Sequence, residues 1–213
     1  TRYIGVTGVQ TCALPISEII CFTGNFHGRT TTIISFSDAP ESREHYGPLT
    51  PGFVLCPFGE LETVEKKISA STVAILVEPI QGEAGIIVPP EGFLKGLRAL
   101  CDQRNILLIC DEIQTGMGRT GKLFASDYEN VKPDLYILGK SLGGGIIPIS
   151  ATVGRRDVLR VFRPGSHGST FGGNPFACAI AREVLLLMKE EKLEEKSREL
   201  GAYFIERLQS LSS

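Results

Sequence analysis

Short apolar runs alternate with longer amphipathic segments along most of the chain. The segments 61–69 and 90–103 place apolar residues at helical spacing, and the second follows a pair of prolines, which is a common helix-start signal. Parallel strands buried on both faces have near-continuous apolar sequences. Runs of this kind predict strands at 18–22, 73–79, 106–110, 135–138 and 149–154. The alternation therefore predicts an α/β domain with a mostly parallel sheet flanked by helices.

The two ends of the chain differ from this pattern. After Asn174-Pro175 the pattern is helical to the last residue, Ser213, so we expect the C-terminus to be truncated. Charges at i,i+4 spacing in this region are typical of a solvated helical face. Residues 6–16, VTGVQTCALPI, match the in-frame translation of a common sequencing-library adapter. We therefore expect residues 1–16 to be non-native and the natural sequence to start, truncated, near Ser17; a natural strand and loop is the alternative.

Composition and charge narrow the classes of function. Hydrophobic residues make up 42% of the chain, charged residues 22%, and the net charge is −2, which gives no electrostatic signature of nucleic-acid or anionic-membrane binding. No apolar run approaches the roughly 18–20 residues of a membrane span. The six cysteines form no C-x-x-C pair and the three histidines are far apart, which argues against a disulfide framework and a metal site. A reducing cytoplasm is the expected location.

One lysine lies where two kinds of chemistry are possible. Lys140 follows an apolar run and precedes three glycines, in the sequence LYILGKSLGGG. The tripeptide 139–141 matches the end of a phosphate-binding P-loop, but Asp134 stands where that motif needs its first glycine. The segment 116–122, GMGRTGK, has the P-loop spacing, but Leu123 replaces the Ser or Thr that would bind magnesium. A P-loop nucleotide hydrolase therefore stays only as an alternative.

A carboxylate at another strand end suggests a partner for this lysine. Asp111 follows the run 106–110, and ligands of open α/β sheets bind at the carboxyl ends of strands, so one ligand could meet Asp111 and Lys140. Pyridoxal phosphate (PLP) needs both groups, because its aldehyde condenses with an amine and its pyridine nitrogen must stay protonated to draw in electrons. A buried carboxylate stabilises that protonated nitrogen. Taken alone, the aspartate could cap a helix or turn, and the lysine could be a surface charge.

Four ungapped motifs follow one another along the chain: EPIQGEAG at 78–85, CDEIQTGMGRTGKLFA at 110–125, LGKSLGGG at 138–145 and HGSTFGGNP at 167–175. They resemble signatures of the class III aminotransferases, which are PLP enzymes of the aspartate aminotransferase fold. The resemblance covers residues 17–213. It implies that residues 17–192 are the central part of the large PLP-binding domain and that residues 193–213 start a small C-terminal domain.

The resemblance implies roles around the cofactor. Lys140 would form the Schiff base and move the proton of the reaction, and Asp111 would pair with the pyridinium nitrogen. Gln114 would hydrogen-bond the phenolic oxygen, and Phe26 would stack on the pyridine ring, although core packing is the alternative for Phe26. Thr170 would bind the phosphate of the neighbouring subunit's cofactor. The expected functional unit is therefore a homodimer.

Three more residues receive roles from the same resemblance. Arg29 would grip a substrate carboxylate, because a planar guanidinium binds that anion bidentately. Glu83 would pair with a distant arginine and release it for the second substrate. His27, beside Phe26, would line the cofactor pocket. The alternatives are a surface arginine, a solvated loop carboxylate and a packing histidine. Gly143–Gly145 are expected to allow a close backbone approach rather than to bind phosphate.

Within the class, two segments are most similar to the branch that acts on ornithine: DYENVKPD at 127–134 and GKSLGGGIIPIS at 139–150. That likeness implies transfer of the terminal amine of ornithine to 2-oxoglutarate in two stages, which yields glutamate semialdehyde and glutamate. The alternatives are acetylornithine or another ω-amino acid as donor, and a catalytically inactive binding fragment. The resemblance also implies a phosphate-binding turn before Ser17 and the rest of the small domain after Ser213, both of which lie outside this sequence. The chain alone is therefore expected to bind PLP weakly and to transaminate little.

Overall fold

The structure is a computed structural model that describes residues 17–211. It divides into two units, the first ending at Cys110 and the second starting at Asp111. Residues 1–16, for which a non-native origin is expected, lie outside the described residues. The domain boundary expected between residues 192 and 193 stays a prediction.

Four parallel strands form the sheet of the first unit. They are β1 (Glu18–Phe22), β2 (Phe53–Cys56), β3 (Thr72–Val77) and β4 (Leu107–Asp111). β1 lies between β2 and β3, and β3 pairs with β4, which gives the order β2-β1-β3-β4. In this register Ile20 is opposite Ile75, and Leu76 is opposite Ile109. The predicted parallel sheet is confirmed, although β2 is a strand that the apolar pattern did not indicate.

Four helices accompany this sheet among the described residues of the first unit. They are α1 (Thr31–Ile34), α2 (Pro40–Arg43), α3 (Leu61–Lys67) and α4 (Phe93–Arg104). The helix predicted at 90–103 starts later than expected, because Gly92 has a left-handed φ of 83° and ends the preceding turn. One face of α4, with Leu97 and Leu100, is buried at helical spacing. Ile20, Ile75 and Leu97 are all 0% exposed, so sheet and helix share one apolar core.

The second unit has a two-stranded antiparallel element followed by helices. Its elements are β5 (Leu135–Leu138), β6 (Ala151–Gly154), α5 (Arg156–Leu159), α6 (Pro175–Glu190) and α7 (Leu193–Gln209), with 3-10 helices at Ala125–Glu129 and Lys140–Gly143. β5 and β6 pair antiparallel, so the sheet is mostly rather than wholly parallel. Asn174 caps α6 by accepting the Ala177 N–H at 2.9 Å. The helical pattern predicted to the end of the chain breaks at Lys192, whose φ is 52°.

The helices of the second unit bury little of their apolar surface. α6 buries Ala177, Ala181 and Met188, whereas no residue of α7 is buried. Within residues 17–211, no helix is both long enough and apolar enough to span a membrane. The buried cluster of this unit is formed by Met117, Leu138, Leu142, Ala181 and Met188.

Candidate active site

Lys140 follows β5 directly and has a left-handed backbone. Its φ is 44°, a conformation that costs a residue with a Cβ about 1 kcal/mol or more. The 3-10 helix that it begins holds this geometry, because the Leu142 N–H donates to the Gly139 carbonyl at 3.0 Å and the Leu142 side chain is buried. The Lys140 side chain itself is exposed. Strained backbone at an exposed amine is typical of a functional residue.

The end of β4 brings a second predicted residue beside β5. Asp111 is the last residue of β4 and is only 6% exposed. The next residue, Glu112, donates its N–H to the Ile137 carbonyl at 3.0 Å, three positions before Lys140. The carboxylate of Asp111 accepts the Ile113 N–H at 3.0 Å, which fixes its direction. The two strand ends that carry Asp111 and Lys140 therefore lie side by side.

Gln114 lies in a tight turn between these strand ends. The turn is closed by the Gly116 N–H, which donates to the Glu112 carbonyl at 2.8 Å. A Cβ at Gly116 would lie 2.7 Å from that same carbonyl oxygen, so only glycine fits there. Gln114 is half-buried. The structure thus places Asp111, Gln114 and Lys140 on connected segments of the second unit.

The two segments that resemble a P-loop in sequence contain a lysine and are near a glycine with structural contacts. Lys122 donates to the Asp127 carbonyl at 2.9 Å and lies 4.7 Å above the Tyr128 ring, contacts that tie down its own loop. A Cβ at Gly144 would lie 2.9 Å from Val184, so α6 approaches the backbone closely at this point. This contact agrees with the close approach expected for the three glycines after Lys140.

The first unit carries the predicted aromatic and cationic residues in the loop after β1. The Phe26 N–H donates to the buried carboxyl group of Glu78 at 3.1 Å. The guanidinium of Arg29 lies 5.8 Å from the centre of the Phe26 ring, within the range of a cation–π contact. The His27 ring packs 5.8 Å from the Phe36 ring. Phe26 and His27 are half-buried and Arg29 is exposed.

Glu83 lies in a second loop of the first unit, at the carboxyl end of β3. It is exposed, in a tight turn where the Gly85 N–H donates to the Gly82 carbonyl at 3.1 Å. The buried side chain of Gln81 donates to the Thr23 carbonyl at 2.8 Å and so connects this loop to the loop of Phe26. The structure therefore links the segments that carry Phe26, His27, Arg29 and Glu83.

Thr170 lies in an exposed segment before α6. Every residue from 161 to 173 is exposed, and the Phe171 side chain next to Thr170 is 81% exposed. Ser169 accepts the Gly172 N–H at 3.0 Å, which makes a local turn. The predicted contact of Thr170 with a second subunit's cofactor stays a prediction.

Several groups away from these loops have shifted pKa values. Burial raises the pKa of the Cys21 thiol to about 12, with Cys56 adding to the shift. A hydrogen bond from Arg155 lowers the pKa of Asp157. The five cysteines that the structure describes form no disulfide with one another, and residues 17–211 contain no group of three or more side chains that could hold a metal ion.

Buried polar residues beside the predicted ones were missed by the sequence analysis. Glu78, Gln81 and Glu112 are at most 5% exposed, and each binds the backbone or side chain of a loop that carries a predicted residue. Asp134, also buried, accepts from Arg155 at 2.9 Å and joins the ends of β5 and β6. The sequence signal for these residues was a polar residue at or soon after the end of an apolar strand. A polar side chain buried there needs hydrogen-bond partners.

Known proteins have sequences similar to most of this chain. The ornithine aminotransferase of Brevibacillus brevis is 55% identical over 197 residues, which are 92% of this chain and 49% of that protein. Ornithine aminotransferase 2 of Staphylococcus saprophyticus is 57% identical over 195 residues, again 92% and 49% of the two chains. The chain thus spans about half the length of the curated relatives that it matches.

A solved structure and a family model agree with these relatives. The ornithine aminotransferase of Toxoplasma gondii, described with partial occupancy of PLP at its active site, superposes with a TM-score of 0.89 at 46% identity. The match covers 92% of this chain and 47% of that one. Residues 9–213 match the family model of class-III aminotransferases. With the four motifs in order and the two strand ends adjacent, the chain belongs to the class-III aminotransferase family.

Proposed function

We propose that this chain supplies the reacting lysine of a PLP-dependent ornithine aminotransferase. The observation that carries the proposal is the strained, exposed Lys140 on a strand end next to that of the buried Asp111. The relatives at 55% and 57% identity are ornithine aminotransferases, and the Toxoplasma gondii enzyme is described with PLP at its active site. Because the chain covers about half of those proteins, the activity of the whole enzyme is inferred from this part.

The donor set of the second unit fits PLP. Lys140 offers an amine for the aldehyde, Asp111 a buried carboxyl group for the pyridine nitrogen, and Gln114 an amide for the phenolic oxygen. When bound, PLP supplies an electron sink for the carbanion that transamination requires. Asp111 would keep the proton on the pyridine nitrogen, since a carboxylate stabilises a neighbouring cation. The amine of Lys140 would carry the proton removed from the substrate carbon, because general acid–base transfer needs a basic group near that carbon.

The loops of the first unit would serve ring packing and substrate selection. Phe26 would pack on the cofactor ring and His27 would line its pocket, while Arg29 would bind a substrate carboxylate through its planar guanidinium. Glu83, in its turn after β3, would shield a distant cation until the second substrate arrives. The binding of Phe26 to Glu78 at 3.1 Å supports the proposal that this loop is held in one position.

The proposed reaction moves the terminal amine of ornithine to 2-oxoglutarate, with glutamate semialdehyde and glutamate as products. Acetylornithine or another ω-amino acid is the rival donor. We further propose a cytoplasmic homodimer in which Thr170 reaches the phosphate of the neighbouring subunit's cofactor. The exposure of Thr170 and of the segment around it supports this arrangement.

The test transplants this chain into a related enzyme. In the hybrid enzyme, residues 17–213 replace the matching segment of the Brevibacillus brevis protein, which is 55% identical. We expect the hybrid to show the visible absorbance of bound PLP and to transaminate ornithine in preference to acetylornithine. Lys140→Ala should lower kcat by about three orders of magnitude, since it removes the acid–base group.

The matched control is Lys132→Ala, which removes an exposed lysine of the same unit. It should leave kcat and the absorbance unchanged. A folded hybrid that binds PLP but keeps its activity after Lys140→Ala would contradict the proposed role of this lysine. If the hybrid prefers acetylornithine, the proposed amino donor is wrong but the proposed reaction, transamination, stands.

A further inference from the structure

A buried carboxyl group that the proposed reaction does not use lies between the proposed cofactor residues. Glu112 is 1% exposed and sits one residue after Asp111. One oxygen of its side chain accepts the Ser126 N–H at 2.9 Å. The other accepts the Ala125 N–H at 3.0 Å and the Thr115 hydroxyl. A buried carboxyl group needs such donors, because losing them leaves a charge without water or a partner.

These hydrogen bonds connect two parts of one loop. Ala125 and Ser126 begin the 3-10 helix Ala125–Glu129, whereas Thr115 belongs to the turn that contains Gln114. The backbone of Glu112 closes the same turn by accepting the Gly116 N–H at 2.8 Å. Side chain and backbone of one residue therefore hold both ends of the segment 112–126. Its path after β4 depends on that residue.

The same residue also connects the turn to the segment of Lys140. The Glu112 N–H donates to the Ile137 carbonyl at 3.0 Å. On the next residue, Ile113, a side-chain carbon lies 3.4 Å from where a Cβ of Gly139 would be, so the turn touches the backbone next to Lys140. The Ile113 N–H donates to Asp111 at 3.0 Å. A displacement of the turn would therefore move Asp111, Gln114 and the lysine segment relative to one another.

We propose that Glu112 is a positioning residue that holds Asp111, Gln114 and Lys140 in one geometry through the turn 112–116. The proposal rests on the proposed function, because it assumes that these three residues meet PLP. Glu112 itself touches neither cofactor nor substrate in this role. Its side chain acts by fixing the loop, and residues that orient a binding group in this way are commonly needed for tight binding.

The test replaces Glu112 by glutamine in the hybrid enzyme defined above. Glutamine keeps the shape but has an NH2 group that faces an N–H donor in either orientation of the amide. In the cofactor-free protein, amide hydrogen exchange should become roughly tenfold faster at Ala125 or at Ser126, whichever N–H faces the NH2 group and so loses its acceptor. The Kd for PLP should rise about tenfold, as for other residues that orient ligating groups.

A third measurement separates positioning from a merely structural role. The pH midpoint of the cofactor's visible absorbance should fall in Glu112→Gln, because a displaced Asp111 stabilises the protonated cofactor less. Well below the unfolding temperature, a structural role would lower the urea midpoint and leave this pH midpoint and the Kd unchanged. That result would overturn the proposal. The control Glu190→Gln alters an exposed carboxylate of the same unit and should change none of these quantities.

Two further variants keep the test decisive. If Glu112→Gln does not fold, Thr115→Val removes one donor to Glu112, and Thr115→Ser keeps it. The valine variant should raise the Kd for PLP and lower the pH midpoint, and the serine variant should restore both; equal values for the two would overturn the proposal. Lys140→Ala distinguishes failure of the proposed function from failure of the positioning role. If it keeps activity, the proposed function fails, whereas loss of activity with normal Glu112 variants overturns only the positioning role.

Discussion

The two units use amphipathic helices in opposite ways. In the first unit, α4 buries a full face against α3 and the sheet, and Leu97 on that face is 0% exposed. In the second unit, α7 has a similar alternation of apolar and charged residues, yet none of its side chains is buried and Leu200 is 67% exposed. The comparison teaches that an amphipathic pattern predicts a helix reliably, whereas burial depends on what the tertiary structure places against it.

The same two units resemble each other where their strands end. A buried glutamate directly follows β3 as Glu78 and β4 as Glu112. Glu78 accepts the Phe26 N–H of the loop after β1, and Glu112 accepts N–H groups of its own loop, 112–126. In both cases that loop carries residues proposed to meet the cofactor. The units therefore differ in their cores but share a way of fixing loops, because buried carboxyl groups bind several donors at once.

The largest difference expected between the two units is in the reactivity of their cysteine thiols. Cys21 lies in the core of the first unit, and burial raises its pKa from 9.0 to about 12, which lowers its thiolate fraction about a thousandfold. Cys178 lies exposed on α6. Iodoacetamide should therefore modify Cys178 long before Cys21 in the native chain, as measured by mass spectrometry of peptides. In concentrated urea both should react at similar rates. Equal rates in the native chain would contradict the burial of β1.

The second-largest expected difference is in the stability lost when a leucine of α4 or of α7 is replaced by alanine. Leu97→Ala in α4 should lower the free energy of unfolding by about 2–5 kcal/mol, because it leaves a cavity in a packed core. Leu200→Ala in α7 should change it by about 0.5 kcal/mol or less, as for other exposed positions. Urea titrations followed by circular dichroism measure both. A large loss for Leu200→Ala would show that α7 is packed in solution.

Replacing two helical glycines by alanine should change the free energy of unfolding by smaller amounts and in opposite directions. A Cβ at Gly96 in α4 would lie 2.3 Å from Leu61, so Gly96→Ala should destabilise the chain by about 1 kcal/mol despite alanine's higher helix propensity. A Cβ at Gly201 in α7 would meet nothing within 4 Å, so Gly201→Ala should stabilise it by about 0.5–1 kcal/mol. Thermal unfolding of the two variants checks the signs. The same sign at both positions would contradict the difference between the helices.

The smallest expected effect is a pH dependence at the surface of the second unit. A hydrogen bond and the charge of Arg155 hold the pKa of Asp157 below its ordinary value of 3.8. The stabilisation is thus present above pH 3.8 and is lost as the pH falls through the lower, folded pKa. The difference in urea midpoint between the wild type and Asp157→Asn should be small at pH 7 and should vanish at low pH. A difference that grows on acidification would contradict this pair.

Much of the fold followed from the sequence, and the exceptions have local causes. The predicted strands and the α/β class are confirmed, as is the family. β2 was missed because FVLC lies between Pro51 and Pro57, and prolines so close together are typical of loops. The last strand is antiparallel, and periodicity carries no information on direction. Lys192 interrupts the terminal helical pattern although its residue type does not mark a break.

The sequence by itself determined the residue types of the candidate site, their order and their positions after apolar strands. Those features depend on local chemistry, so they can be deduced from neighbours along the chain. The left-handed backbone of Lys140, the burial of Glu112 and the contact of Ile113 with Gly139 were decided only by the tertiary structure. They depend on segments about 25 residues apart being held side by side, and such pairing is a property of the folded sheet rather than of any local pattern.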